Sequence, residues 1–204
     1  MAVADGEVIG HNEFLDDPET TFQQLTEKIS YPVVVKPVKS GSSVGVSVAK
    51  NTQQLLKAVK LAFEQDDRVL VEPRLFGREL EIAVLEDLDG KLMTSVAGEI
   101  TVGGGGIYDY QAKYLSNAAK LTVPADLTDE QLATAQEIAK KAFTALGCSG
   151  LARVDFFLTE DGWILSEVNT MPGFTPISMY PKLWKESGVD YPELISRLIE
   201  LAIR

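Results

Sequence analysis

Two short segments late in the chain constrain the fold most. Ala152-Arg153-Val154-Asp155-Phe156-Phe157-Leu158 and Ile164-Leu165-Ser166-Glu167-Val168-Asn169 read as strands joined at Asp161-Gly162. In a strand, residues i and i+2 share a face. Arg153 and Asp155 therefore project together, as do Glu167 and Asn169. Val154, Phe156, Leu158, Ile164 and Val168 form the opposite sides, which suit a core. A hairpin sets the two polar pairs side by side. Two carboxylates and a carboxamide are hard oxygen donors, the set Mg²⁺ takes beside substrate phosphates. An adjacent arginine stabilises negative charge developing on a reacting group. A solvated sheet face with ordinary ion pairs accounts for the same residues.

The remaining pattern alternates helices and strands, which predicts an α/β (α+β) fold. Asp17-Pro18 opens a helix carrying Phe22, Leu25 and Ile29. Val33 to Lys36 and Val44 to Ala49 read as a hairpin around Lys39 to Ser43. A helix bearing Leu55, Leu56, Val59, Ala62 and Phe63 follows, then strands at Arg68 to Glu72 and Glu79 to Leu85. Thr128-Asp129-Glu130-Gln131 is a capping box opening a helix with Leu132, Ala135, Ile138, Ala139, Ala142, Phe143 and Leu146 on one face. Short helices are predicted near 179–186 and 192–202. Residues 101–120 lack periodicity. They hold four glycines, then Tyr108, Tyr110, Lys113 and Tyr114, and read as a flexible lid that closes over a site and excludes water, or as an ordinary loop. A boundary near 74–76 divides the 204 residues into two lobes, 1–75 and 76–204.

Charge excludes some functions. Nineteen basic against thirty acidic residues leave a net −11, the wrong sign for a nucleic-acid or anionic-membrane binder. No apolar run reaches the ~18 residues that span a bilayer. Met1 to Asp5 has neither a basic nor a long apolar stretch, so no secretory signal is expected. A single cysteine, Cys148, fits a reducing, cytoplasmic setting and packs as a small apolar residue. The lone His11, in an exposed polar stretch, rules out multi-histidine metal or acid–base chemistry.

Lys36-Pro37 precedes Ser40-Gly41-Ser42-Ser43-Val44-Gly45. A strand lysine beside a Gly/Ser hairpin can hold phosphates, because glycine admits close backbone approach and its amides donate. A plain hairpin with an exposed lysine fits equally. It is no P-loop, since G-x-x-x-x-G-K followed by Ser or Thr occurs nowhere. Val69-Leu70-Val71-Glu72-Pro73-Arg74-Leu75 offers backbone groups to a purine edge, and Glu79 is a carboxylate for ribose hydroxyls; a linker explains both as well.

In order and wording together, these segments resemble an ATP-grasp ligase. Tyr108-Asp109-Tyr110-Gln111-Ala112-Lys113-Tyr114, Arg153-Val154-Asp155 and Glu167-Val168-Asn169-Thr170-Met171-Pro172-Gly173 narrow the resemblance to the D-alanine–D-alanine ligase family, from about residue 30 onward. The resemblance implies two lobes with mixed or antiparallel sheets clasping ATP. It implies that Lys36 contacts the α- and β-phosphates and that the loop around Ser43 covers them. Glu72 and Leu75 would meet adenine largely through backbone, and Glu79 would hold the ribose. Asp155, Glu167 and Asn169 would bind two Mg²⁺, which Mn²⁺ could replace, and Lys113 would reach the γ-phosphate. The carboxylate of one D-alanine attacks that phosphate, and the amine of a second attacks the resulting acyl phosphate, for peptidoglycan synthesis. Arg153 and the Gly173 amide would form the oxyanion hole, and Ser178 with Lys113 would bind the second D-alanine's carboxylate. Tyr114, hydrogen-bonding Ser42 and a glutamate of an N-terminal domain, favours D-alanine over D-lactate as second substrate; some D-alanine–D-lactate ligases carry Phe there.

The family has three domains, and the match begins partway into the central one. The expectation is a chain without the N-terminal domain, which carries much of the family's homodimer contact. Such a chain would bind Mg²⁺–ATP with little turnover. Pro73 offers a carbonyl but no N–H at the purine edge. Another ATP-grasp carboxylate–amine ligase, or a non-catalytic nucleotide-binding module, are the competing readings.

Overall fold

The computed structural model describes residues 1–102 and 119–203. The described chain forms two compact units, one of Ala4–Leu75 with residues 102 and 119, and one of Met1–Val3, Phe76–Thr101 and residues 120–203.

The smaller unit is built on a four-stranded sheet in the order β2-β5-β3-β4. Its strands are β2 (Glu7–Gly10), β3 (Val33–Pro37), β4 (Ser47–Ala49) and β5 (Arg68–Pro73). β3 runs antiparallel to both β4 and β5, with Val33 opposite Ala49 and Pro73, and Lys36 opposite Leu70. Alternation buries Val33, Val35, Val69 and Val71 in one cluster with Leu55, Val59 and Ala62 of α3 (Thr52–Phe63). Val34, Lys36 and Glu72 lie on the other face. Asn51 caps α3 by accepting from the Gln54 amide at 3.0 Å. α2 (Pro18–Lys28) begins as its sequence dictates, with Asp17 accepting from the Thr20 amide and Pro18 in the first position. Ile29 falls just past its end.

Two features differ from the sequence pattern. α1 (His11–Asp16) has too few residues to show periodicity; it buries Phe14, and His11 is half-buried, its ring stacked on Phe63 with centroids 4.8 Å apart. The second hairpin strand starts at Ser47 instead of Val44, because Ser42, Ser43 and Gly45 have φ values of 55°, 57° and 75° and cannot be extended.

The larger unit carries a six-stranded sheet, β1-β10-β9-β6-β7-β8. β1 (Ala2–Val3) runs parallel to β10 (Gly162–Asn169), so the first three residues belong to this unit and not to the lobe that follows them in sequence. β9 (Leu151–Thr159) lies between β10 and β6 (Arg78–Glu86), antiparallel to both, and β6 pairs with β7 (Leu92–Val102). β8 is Ala119–Thr122, so β7 and β8 take both ends of the expected lid; the rest of it, 103–118, lies outside the described residues.

One face of this sheet, with Leu80, Ile82, Val84, Ala97, Val154, Phe156 and Leu165, packs on Ala135, Ala139, Ala142 and Phe143 of α4 (Asp129–Ala145). Thr128 and Gln131 close the capping box at its start. Leu146 caps the C-terminal end and is exposed, off the buried stripe. Cys148 packs against the same cluster. The opposite face receives α5 (Met179–Glu186), followed by α6 (Tyr191–Ala202). Gly98 admits α5: a Cβ there would sit 2.7 Å from Met179 Sδ. Tyr180 is fully buried and donates to the Val84 carbonyl at 2.9 Å. Burial pushes its hydroxyl pKa up. No helix among the described residues is long and apolar enough to cross a membrane.

Candidate active site

The face opposite α4 gathers charge where β6, β9 and β10 meet. Asp155 stands opposite Glu167 on one side and Glu81 on the other, and Asn169 opposite Arg153. A bulge makes this possible. Leu165 pairs with Phe156 and Glu167 with Asp155, so Ser166 is an extra residue in β10. The strict alternation read from the sequence put Ile164 in the core; the bulge puts Leu165 there, and Ile164 stands opposite Phe157.

Arg153 holds Asp155 with a two-pronged contact. Its Nε donates to Oδ1 and its Nη2 to Oδ2, both at 2.7 Å. Nε is also 3.2 Å from Glu81 Oε2. Asn169 Nδ2 donates to Asp155 Oδ2 at 3.0 Å and to Glu167 Oε1 at 2.7 Å. Only 16% of the Arg153 side chain, 17% of Asp155 and 6% of Glu81 remain exposed. Burial alone would lower the Arg153 pKa; the charges of Asp155, Glu81 and Glu167 and the Asp155 hydrogen bonds hold it above its ordinary value instead.

The donor set fits a hard divalent cation. Two carboxylates and one carboxamide converge, and a half-turn of the Asn169 amide exchanges Nδ2 for Oδ1 towards them. Among the described residues no three of His, Cys, Asp and Glu gather to hold a metal, so a third protein ligand here would be the Asn169 amide.

A loop beside this cluster is pinned by aromatic rings. Phe174 packs on Tyr180 and Tyr191, each at 5.7 Å, and its carbonyl accepts from Tyr191 Oη at 2.7 Å. Gly173 is thereby fixed next to Ser178, whose Oγ would lie 3.2 Å from a Cβ on Gly173. Ser178 precedes α5, and its Oγ accepts from the Thr175 amide at 3.1 Å. Glu79 shares the face of Glu81, two residues along β6.

Among the described residues, the other predicted ones lie in the smaller unit. Lys36 donates to Glu72 Oε1 at 2.7 Å, and both are largely buried. The Glu72 carboxylate is thus occupied by Lys36, while its backbone runs on towards Leu75. Ser42 and Ser43 form the tip of the β3–β4 turn, where the Val44 amide donates to the Gly41 carbonyl. Lys113 and Tyr114 lie outside the described residues. The structure therefore joins Arg153 with Asp155, Glu167 and Asn169, Gly173 with Ser178, and Lys36 with Glu72. Sequence reading missed Glu81. In a strand read only for its apolar residues, a glutamate passes as solvent-facing; its signal is the i, i+2 spacing from Glu79.

The comparisons agree with this architecture. Solved structures share the mixed α/β, two-sheet ATP-grasp fold. The D-Ala:D-Ser ligase VanG of Enterococcus faecalis superposes with a TM-score of 0.86 at 35% identity, covering 98% of this chain and 57% of that one. The D-alanine–D-alanine ligase of Coxiella burnetii gives 0.82 at 40% identity, covering 100% and 52%. The chain belongs to the family described as D-ala D-ala ligase C-terminus, which matches residues 1–200. Among curated proteins, the D-alanine–D-alanine ligase of Mycolicibacterium smegmatis is 47% identical over 209 aligned positions, covering all of this chain and 56% of the relative. That of Bacillus velezensis is 52% identical over 186 positions, covering 91% and 52%. The chain spans about half the length of the curated relatives it matches.

Proposed function

We propose that this chain is the nucleotide- and cation-binding part of an ATP-dependent D-alanine–D-alanine ligase that makes D-alanyl-D-alanine for peptidoglycan. The observation that carries the reading is the Arg153–Asp155–Glu167–Asn169 cluster on one sheet face, in a chain of this family.

In this reading Lys36 holds the α- and β-phosphates and the Ser42–Ser43 turn covers them. Backbone groups at Glu72 and Leu75 meet adenine, and Glu79 takes the ribose hydroxyls. Asp155, Glu167 and Asn169 hold Mg²⁺. When bound, Mg²⁺ offsets the phosphate charge and polarises the γ-phosphoryl group. The first D-alanine's carboxylate displaces ADP from that group, giving an acyl phosphate. The second D-alanine's amine then displaces phosphate from the acyl carbon. Arg153 and the Gly173 amide stabilise the oxyanion in this step, Lys113 reaches the γ-phosphate and helps Ser178 bind the second carboxylate, and Tyr114 favours D-alanine as the second substrate.

The test is dipeptide formation by the protein carrying this chain, supplied with Mg²⁺, ATP and D-alanine, with D-serine and D-lactate as competitors. The expected result is D-alanyl-D-alanine with one phosphate per dipeptide, lost on Asp155→Asn. Phosphate release indifferent to D-alanine, or D-lactate outcompeting D-alanine at neutral pH, contradicts the proposal.

A further inference from the structure

The Arg153 guanidinium hydrogen-bonds Asp155 and also lies within ion-pair distance of a second carboxylate. Its Nε is 2.7 Å from Asp155 Oδ1 and 3.2 Å from Glu81 Oε2. Asp155 Oδ2 already accepts from Arg153 Nη2 and Asn169 Nδ2, which uses both its lone pairs. A cation arriving at Oδ2 takes the place of Asn169 Nδ2 once that amide turns its Oδ1 inward, and it then competes with Arg153 for the carboxylate charge. A guanidinium this buried cannot lose its counter-charge without cost. Glu81 supplies a second one. It projects from β6 opposite Asp155, is more buried than Asp155, and is too deep to be an open ligand itself.

We propose that Glu81 is a positioning residue: its buried carboxylate keeps Arg153 in place and neutralised while Asp155 shares its charge with a divalent cation. Arg153 then stays on the sheet face, aimed at the reacting group, in both states. The inference rests on reading Asp155, Glu167 and Asn169 as the cation ligands. It adds that cation affinity is set in part by a carboxylate that acts through Arg153.

The test is a double-mutant cycle read as Mn²⁺ affinity, measured by electron paramagnetic resonance of free Mn²⁺ with a non-hydrolysable ATP analogue at saturation. The proteins are wild type, Glu81→Gln, Arg153→Met, the double variant, and Asp155→Asn. With Arg153 present, Glu81→Gln weakens Mn²⁺ binding about tenfold, because Arg153 then draws its whole counter-charge from Asp155. With Arg153→Met the same change costs less than about threefold. Equal weakening in both backgrounds means that Glu81 acts on the cation by its charge alone and overturns the proposal, as does no weakening in either. If Glu81→Gln does not fold, Glu81→Asp keeps the charge but shortens its reach, and the same dependence on Arg153 is expected. Wild-type binding that Asp155→Asn abolishes, without coupling between Glu81 and Arg153, overturns the role of Glu81 and leaves the cation site standing. Wild-type binding unaffected by Asp155→Asn overturns both.

Discussion

Gly98 lies against α5 on the sheet that bears the acidic cluster. A Cβ at that position would lie 2.7 Å from Met179 Sδ, 3.1 Å from Met179 Cε and 3.0 Å from Leu183 Cδ2, where ordinary contact begins at 3.4 Å. Met179 is unbranched and can shift, but Leu183 is fully buried and cannot easily do so. Overpacking of this kind costs about 1–3 kcal/mol. Replacing a strand glycine returns about 0.5–1 kcal/mol by reducing unfolded-state freedom. Gly98→Ala should therefore lose only about 1 kcal/mol. Gly98→Val, with two further methyl groups against Leu183, should lose about 3 kcal/mol. Both tryptophans, Trp163 and Trp184, lie in the larger unit, so urea unfolding followed by their emission reports this unit alone. Met179→Ala removes the obstructing sulfur, so the pair Gly98→Val with Met179→Ala should be at least ~1 kcal/mol more stable than the sum of the single changes. A valine cost below about 0.5 kcal/mol, or strict additivity, refutes the packing argument.

Two further outcomes follow from local chemistry. Ser43 holds φ 57°, a left-handed conformation that costs an L-residue about 1–2 kcal/mol, so Ser43→Gly should leave stability unchanged or raise it by up to about 1 kcal/mol in urea unfolding followed by circular dichroism; a clear loss contradicts this. Two hydrogen bonds from Arg78, at 2.8 and 2.6 Å, hold the Glu99 carboxyl below its ordinary value against the opposing effect of burial. A depressed folded-state pKa adds stability above the ordinary glutamate value, and that stability is lost as pH falls through the folded value. The stability gap between wild type and Arg78→Met should accordingly be widest near neutral pH and close in acid, and a gap constant with pH contradicts it.

Where the sequence was legible, the reason was periodicity. Arg153 with Asp155 and Glu167 with Asn169 do share a face, because alternation holds within each pair of positions. It failed between Leu165 and Glu167, where the Ser166 bulge changes the phase of β10 and no residue type there announces one. Capping chemistry placed the starts of α2 and α4 because Asp17-Pro18 and Thr128 to Gln131 act within four residues of themselves. β7 escaped notice because Ser95 and Gly98 interrupt its apolar pattern. Both serve tertiary needs: buried Ser95 accepts from the Ala83 amide at 2.9 Å beside a second bulge, and Gly98 makes room for α5. β1 pairs with a strand some 160 positions away in sequence, a contact that no local signal encodes. Glu81 shows locally only its i, i+2 spacing from Glu79, and it takes the three-strand register to bring it to Arg153.

The most direct test of the account is calorimetric titration of the protein with ATP, with and without Mg²⁺, in wild type, Lys36→Ala and Asp155→Asn. The account predicts binding that weakens about tenfold or more in Lys36→Ala under both conditions, as expected for loss of a charge-assisted phosphate contact. Asp155→Asn should weaken it only when Mg²⁺ is present. Binding indifferent to Asp155 in the presence of Mg²⁺ would contradict the assignment of this sheet face as a cation–nucleotide site.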